Sequence, residues 1–327
     1  MRVARSSTIA VVSALLLLSA CGTTEEPASE ETDPGGSTQE AVSVTDARGE
    51  QINLDEPATD IVALEWNGAE HAVSLGVMPV GVADVEGYGE WVTTVPLDDS
   101  VTDVGVRGEP SMDAIVSLEP DLVIAPNRLA PEIITQVEEF APVLVTEDAN
   151  PQDPIGTMTS DLQMIATATG TEDEGQALID ELDTALTEGQ QAITEAGADG
   201  TTFTMADGFQ QGSNLVVRMY GQGSLFSALA TELGLENAWT TSGDEAYDLS
   251  ETDVEALTQL PDDTHFFYII STGPDLYADG LADNPIWTDL PFVQNGTVHR
   301  LPDGIWMFGG VRSAVQYIDA LVAELAA

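Results

Sequence analysis

The sequence predicts an α/β protein of two α/β lobes joined by one long rigid helix, with a ligand cleft between the lobes. Three observations carry that expectation. Short apolar runs alternate with helical segments at the spacing of βαβ units. Similar material lies on both sides of residues 153–197. Within that stretch, residues 171–196 read as a single helix, about 39 Å long at 1.5 Å per residue.

That helix has a start, a stop and a face. Thr171 followed by Glu174 has the pattern of a capping box, and Gly197 is a natural terminator. Leu178, Leu182, Ala185, Leu186, Ile193 and Ala196 recur at helical spacing. Gly175 and Gly189 count against it, since each costs roughly 1 kcal/mol relative to Ala in a helix interior.

The chain begins with a targeting pattern. Arg2 and Arg5 precede an apolar run over residues 9–18, and Leu18-Ser19-Ala20-Cys21 follows, as in a secretory signal of the lipoprotein type. The run is too short to span a bilayer, so residues 1–20 are expected to be removed and Cys21 to carry the lipid. Cys21 is the one cysteine of the sequence, which excludes an intrachain disulfide and leaves no thiol for catalysis or a zinc-thiolate site. Residues 21–40, almost without apolar side chains beyond the cysteine, are expected to form a disordered tether.

Residues 41–327 are long enough for two domains of ordinary size, expected here as lobes over 41–152 and 198–327 with a helical connection over 153–197. In the first lobe, Val42 and Val44 alternate, as do Ile52 and Leu54 beyond a turn at 46–49, which predicts a hairpin. Strands are expected at 61–64, 80–83, 122–125 and 143–145, and helices near 69–75, 112–118 and 131–140. The second lobe is expected to repeat the plan, with strands at 203–206, 215–219, 266–270 and 298–300 and helices near 225–233, 254–260 and 311–325.

The charge balance restricts the partners. There are 57 acidic residues against 8 basic ones, all arginine, and two of these precede Cys21. Such a surface repels nucleic acid and anionic lipid, and it fits solvation in a high-salt habitat. The sequence has no Gly-x-Ser-x-Gly elbow, Walker loop or His-Glu-x-x-His, and His71, His265 and His299 lie far apart along it. They are expected to be structural, no protein metal site is expected, and no nucleophile or base marks the chain as an enzyme.

One stretch carries a specific signal. Ile61-Val62-Ala63-Leu64-Glu65-Trp66, Gly81-Val82-Ala83-Asp84, Tyr88, Trp91 and Asp103-Val104-Gly105-Val106-Arg107-Gly108-Glu109-Pro110 are joined later by Gly223-Ser224-Leu225-Phe226, Asn237-Ala238-Trp239, Pro285-Ile286-Trp287, Pro291-Phe292-Val293 and residues 306–309. Together these resemble the ferric-hydroxamate-binding lipoproteins of ABC importers, a group related to the cobalamin and catecholate-siderophore binders. The resemblance covers nearly all of the chain beyond the tether.

The resemblance implies a pocket and a function. Arg107 matches the arginine that donates to iron-bound hydroxamate oxygens, a task suited to a planar fork of donors. Trp66, Trp91, Trp306, Phe308 and Tyr247 match aromatic wall positions, Tyr88 belongs to the same stretch, and Trp239 and Trp287 read as core. Asn127 or Arg128 stands where a pocket tyrosine is expected, with Asn127 taken as the candidate, and Leu249 replaces a serine. The group docks on its permease through a carboxylate at the tip of each lobe; Glu70 fits the first, while the second falls on Ala228, with Glu232 as a substitute. The implied protein is a monomeric, lipid-anchored receptor on the outer face of the cell membrane. It would capture a ferric siderophore, most simply a trihydroxamate, for an ABC permease, with iron held by the siderophore and no cofactor beyond the lipid. The alternatives are the same fold binding cobalamin or another chelate, a lipid-anchored hydrolase, and a structural surface lipoprotein.

Overall fold

The computed structural model describes residues 41–211, 214–270 and 273–326. Cys21, the signal-like segment and the expected tether lie outside the described residues. The chain opens with an antiparallel hairpin of β1 (Val42–Thr45) and β2 (Gln51–Leu54), pairing Val42 with Leu54 and Val44 with Ile52, as the alternation predicts. Asp46 closes the turn, its carboxylate accepting from the Arg48 and Glu50 amides at 2.9 and 3.1 Å.

The first lobe continues through β3 (Ile61–Ala63), α1 (Trp66–Ser74), β4 (Gly81–Val82), α2 (Val85–Trp91), β5 (Thr102–Asp103), the hairpin β6 (Gly105–Val106) and β7 (Glu109–Pro110), α3 (Met112–Ser117), β8 (Leu122–Pro126), α4 (Pro131–Glu138) and β9 (Val143–Thr146). Its sheet runs β5-β4-β3-β8-β9, parallel throughout. Every residue of β3, β8 and β9 is buried. A strand covered on both faces has no solvent side, which is why these read as unbroken apolar runs.

The connection is two helices, α5 (Pro154–Thr169) and α6 (Glu172–Glu195), separated at Gly170, where φ is +67°. The 24 residues of α6 span about 36 Å. It ends as expected: the Gly197 amide bonds the Thr194 carbonyl and the Ala198 amide bonds that of Ile193, with Gly197 at φ +73°. The expected cap at Thr171 does not form, because its hydroxyl pairs with that of Thr169 at 2.7 Å. Gly175 and Gly189 have a packing reason. A Cβ on Gly175 would come within 2.9 Å of the Ala166 Cβ on α5, and one on Gly189 within 2.8 Å of the Leu233 side chain.

Beyond α6 come β10 (Thr202–Gln211), β11 (Asn214–Tyr220), α7 (Leu225–Glu232), β12 (Glu236–Asn237), β13 (Leu249–Thr252), a 3₁₀ turn at Val254–Gln259, β14 (His265–Tyr268), a π turn at Leu276–Gly280, α8 (Pro285–Thr288), α9 (Pro291–Asn295), β15 (Val298–Arg300) and α10 (Val311–Leu325). The sheet runs β13-β11-β10-β14-β15, with β12 beside β10. This lobe does not repeat the first one's plan. β10 pairs with β11, and β11 with β13, antiparallel, while β14 and β15 continue in parallel. Two residues between β10 and β11 allow a hairpin but no helical crossover, so that pair must be antiparallel.

One apolar cluster joins the lobes. It runs from Leu54, Ile61 and Leu144 through Leu162 and Ile165 of α5 and Leu178, Leu182 and Ile193 of α6 to Phe203, Phe226 and Tyr317. α6 touches the first lobe near its start, where Gly175 faces Leu75, and the second near its end, where Gly189 faces Leu233 and Ile318.

Candidate functional site

The chain ends of β3, β6 and β11 and the loop before α10 converge on a cleft of about 320 Å³. Its walls are Glu65, Trp66, Trp91 and Arg107 from the first lobe, joined by Arg128 and Asp148, and Arg218, Tyr247, Leu249, Trp306, Met307 and Phe308 from the second. A neighbouring hollow of about 420 Å³ shares Trp91 and Arg218 with it, so the two form one trough.

Local structure explains how Arg107 arrives there. It sits with Gly108 at the turn of the β6–β7 hairpin, and Gly108 takes φ +85°, where glycine is comfortable and other residues are strained. The guanidinium then lies over the face of Trp66, 3.6 Å from the ring centre, and 5.5 Å from that of Trp306. Glu65, which also caps the start of α1, accepts from Arg107 Nη1 at 2.9 Å. Trp66 is fixed beneath it by bonds from its indole N–H to the carbonyls of Ala83 and Asp84, at 3.1 and 3.2 Å. Gly87 lets α2 approach the back of that ring, since a Cβ there would stand 2.5 Å from it.

The aromatic wall spans both lobes. Trp306 meets Trp66 edge-on at 4.7 Å between ring centres and Trp91 at 5.9 Å, and Phe308 packs against Trp306 and Tyr247 at 4.9 and 4.7 Å. Tyr247 donates to Asp148 across the cleft at 2.8 Å. Burial, reinforced by the Asp148 carboxylate, holds its phenol well above the ordinary tyrosine range, so it stays protonated as a donor. Asp148 also receives Arg128 Nε at 2.9 Å and adopts φ +70°, while Asp161 on α5 grips its amide at 2.8 Å. Burial pushes Asp161 up to about 6.

Several sequence-based expectations are corrected. Tyr88 is fully buried, donates to the Val95 carbonyl at 2.8 Å and does not line the cleft; it and Trp91 lie three apart on α2, and only Trp91 reaches the trough. Asn127 is exposed and outside the cleft wall, whereas its neighbour Arg128 stacks on Tyr247 at 4.6 Å. Glu70 cannot meet a permease in this structure: it has no exposed surface and bonds the Ser313 amide and hydroxyl at 2.8 and 2.9 Å. Its place on the face of α1 shared with Trp66, four residues earlier, already points inward. Glu232 is exposed at the end of α7, and Ala228 is half-buried.

Arg218 was not expected in the cleft. It forms a two-bond pair with Asp207, with Nε to Oδ1 at 2.8 Å, and Tyr220 donates to the same carboxylate at 3.2 Å. The antiparallel register of β10 and β11 sets Asp207 directly opposite Arg218. Half of the six arginines after Cys21 therefore face one trough, each held by a carboxylate. Trp239 and Trp287 are core residues, as expected. His265 and His299 come together across β14 and β15, 3.0 Å apart, with Glu324 at 2.9 Å from His299. Among the described residues, no group of three or more His, Cys, Asp or Glu is arranged to hold a metal ion. No helix among them is long and apolar enough to cross a membrane.

The chain is similar to several known proteins. The iron(3+)-hydroxamate-binding protein FhuD of Escherichia coli (strain K12) is 26% identical over 263 residues, covering 80% of this chain and 85% of that protein. The Fe(3+)-citrate-binding protein YfmC of Bacillus subtilis (strain 168) is 27% identical over 327 residues and 96% of each chain. Among solved structures, the siderophore-binding protein FhuD of Vibrio cholerae with bound Fe3+-Desferal has the same fold, with a TM-score of 0.73 at 22% identity over 82% of this chain and 98% of that one. The family model described as periplasmic binding protein matches residues 61–304, three quarters of the sequence, and the chain belongs to that family.

Proposed function

We propose that this chain is an extracytoplasmic binding protein that captures a ferric siderophore of the trihydroxamate type and hands it to an ABC permease, with Cys21 as its lipid anchor. The observation that carries the reading is the Arg107 guanidinium, 3.6 Å over the centre of the Trp66 ring within an aromatic wall contributed by both lobes. A ferric trihydroxamate has a largely hydrocarbon outside and partly negative oxygens on iron, and it asks a protein for apolar faces and a few forked donors. The iron keeps the oxygen ligands of its chelator, and the protein supplies none. Relatives named for ferric hydroxamate and for ferric citrate share that ligand chemistry, a ferric ion wrapped in oxygens.

Charge narrows the class. The three arginines of the trough are offset by Glu65, Asp148 and Asp207, so the wall carries little net charge. A neutral or singly positive complex enters without leaving a buried charge unpaired. A second reading, an anionic ferric chelate, is favoured by Arg218, which brings the guanidiniums in the trough to three. Intact-protein mass spectrometry after incubation with iron-loaded and iron-free siderophores tests the function. Retention of iron-loaded hydroxamates supports it. No retained chelate, or steady turnover of an ester, peptide or glycoside, contradicts it.

A further inference from the structure

We propose that Glu70 is a positioning residue: it caps α10 of the second lobe from α1 of the first, and thereby locks the 304–310 segment, with Trp306 and Phe308, into the cleft wall. The residue that precedes α10 at its N-cap position is Gly310, which has no side chain with which to cap the helix. The orphan N–H groups of its first turn are met instead by Glu70, which accepts from the Gly310 amide, from the Ser313 amide at 2.8 Å and from the Ser313 hydroxyl at 2.9 Å. A carboxylate there also opposes the positive end of the helix dipole.

The surroundings are shaped to the carboxylate. A Cβ on Gly309 would lie 2.4 Å from Glu70 Oε2 and 2.6 Å from the Trp306 ring, and one on Gly310 would lie 3.1 Å from Oε1. The same segment is held at its other end, where the Thr93 hydroxyl donates to the Gly304 carbonyl at 2.9 Å. Trp66 and Glu70, one turn apart on α1, thus hold Trp306 by its ring and by the backbone that carries it.

The test uses the full chain and two variants, Glu70→Ala and Glu70→Gln, followed by amide hydrogen exchange. In Glu70→Ala the Gly310 and Ser313 amides and residues 304–308 should lose protection while α6 and β10 keep theirs. Glu70→Gln, which retains one acceptor oxygen, should be intermediate, and it is read alone if the alanine variant does not fold. Parent-like protection over 304–313, or an equal rise in every element, overturns the proposal, the latter because a purely structural role loosens the whole fold. The affinity arm rests on the ferric-siderophore reading: a ferrioxamine-type probe should bind about tenfold more weakly to Glu70→Ala, as when one molecule in ten keeps the competent wall, with partial rescue by Gln. Unchanged affinity in the alanine variant contradicts the positioning role. A parent that binds no ferric hydroxamate overturns the ligand reading alone, and the exchange pattern still decides the clasp.

Discussion

Arg107 is held on one side by Glu65, on its face by Trp66 and at longer range by Asp84, 3.8 Å from Nε. On the proposed function, replacing it with alanine would remove the charged donor to iron-bound oxygens, a loss of about 1.5 to 3 kcal/mol. Affinity for a ferric hydroxamate should fall roughly tenfold to a hundredfold, and parent-like binding in a fluorescence titration would reduce Arg107 to a surface charge. His71 offers a separate test. Burial lowers its pKa from the ordinary 6.5 to about 4, so it is neutral when folded at neutral pH, and the stability this gives is present above 6.5 and lost as pH falls towards 4. The loss is about 3 kcal/mol. Asp161, raised by burial from 3.8 to about 6, works the other way, adding stability as pH falls through that range. The difference between the parent and His71→Gln in urea unfolding at pH 7 and pH 4.5 therefore isolates the histidine, and equal pH dependence of the two would refute its burial. The family resemblance, and not residue identity alone, pointed to Arg107 and the three tryptophans, and the structure brings them to one cleft wall. Neither could separate Tyr88 from Trp91 or Asn127 from Arg128, since which neighbour faces the cleft depends on how the element is turned. Glu70 could have been found by asking what pairs a carboxylate on the apolar face of α1.

The elements were legible where their signals are local. The first hairpin follows from alternation, and α6 ends at Gly197 because a left-handed residue there satisfies two orphan carbonyls. Its start was less legible, since Thr171 has a nearer partner in Thr169 than the helix amide it was expected to cap. Pairing direction in the second lobe was misjudged because strand length and apolarity do not encode it. With that register went the placement of Arg218 opposite Asp207, while the contact between His265 and His299 comes from the parallel pairing of β14 and β15. The glycines of α6 give this scale its prediction. Alanine would raise helix propensity by about 1 kcal/mol, yet at Gly175 its Cβ meets that of Ala166 at 2.9 Å, on a side chain with no rotamer to move. Gly175→Ala should therefore destabilise the protein by about 1 to 3 kcal/mol in chemical denaturation. A stabilised Gly175→Ala would mean that α5 and α6 are not in close contact.

At the scale of the molecule, one apolar cluster passes from the first sheet through α5 and α6 into the second, and Tyr247–Asp148, Thr93–Gly304 and Glu70–Ser313 tie the lobes across the cleft. Wide closure would have to open that cluster. Small-angle scattering should give radii of gyration within about 1 Å with and without ligand, and a contraction of several Å would show that the connection is a hinge. The acidity of the chain makes the cleft more distinctive: six arginines follow Cys21, and three face the trough, already matched by carboxylates. A ferric tricatecholate, with about three negative charges, would have to draw these arginines from their partners or remain unpaired, whereas a neutral trihydroxamate, the proposed ligand, would meet the aromatic wall without that penalty. Competition titration at fixed ionic strength between a ferrichrome-type or ferrioxamine-type complex and a ferric tricatecholate tests this most directly. The account predicts that the trihydroxamate binds at least about a hundredfold more tightly, a difference of about 2.7 kcal/mol, and equal or tighter binding of the tricatecholate would contradict it.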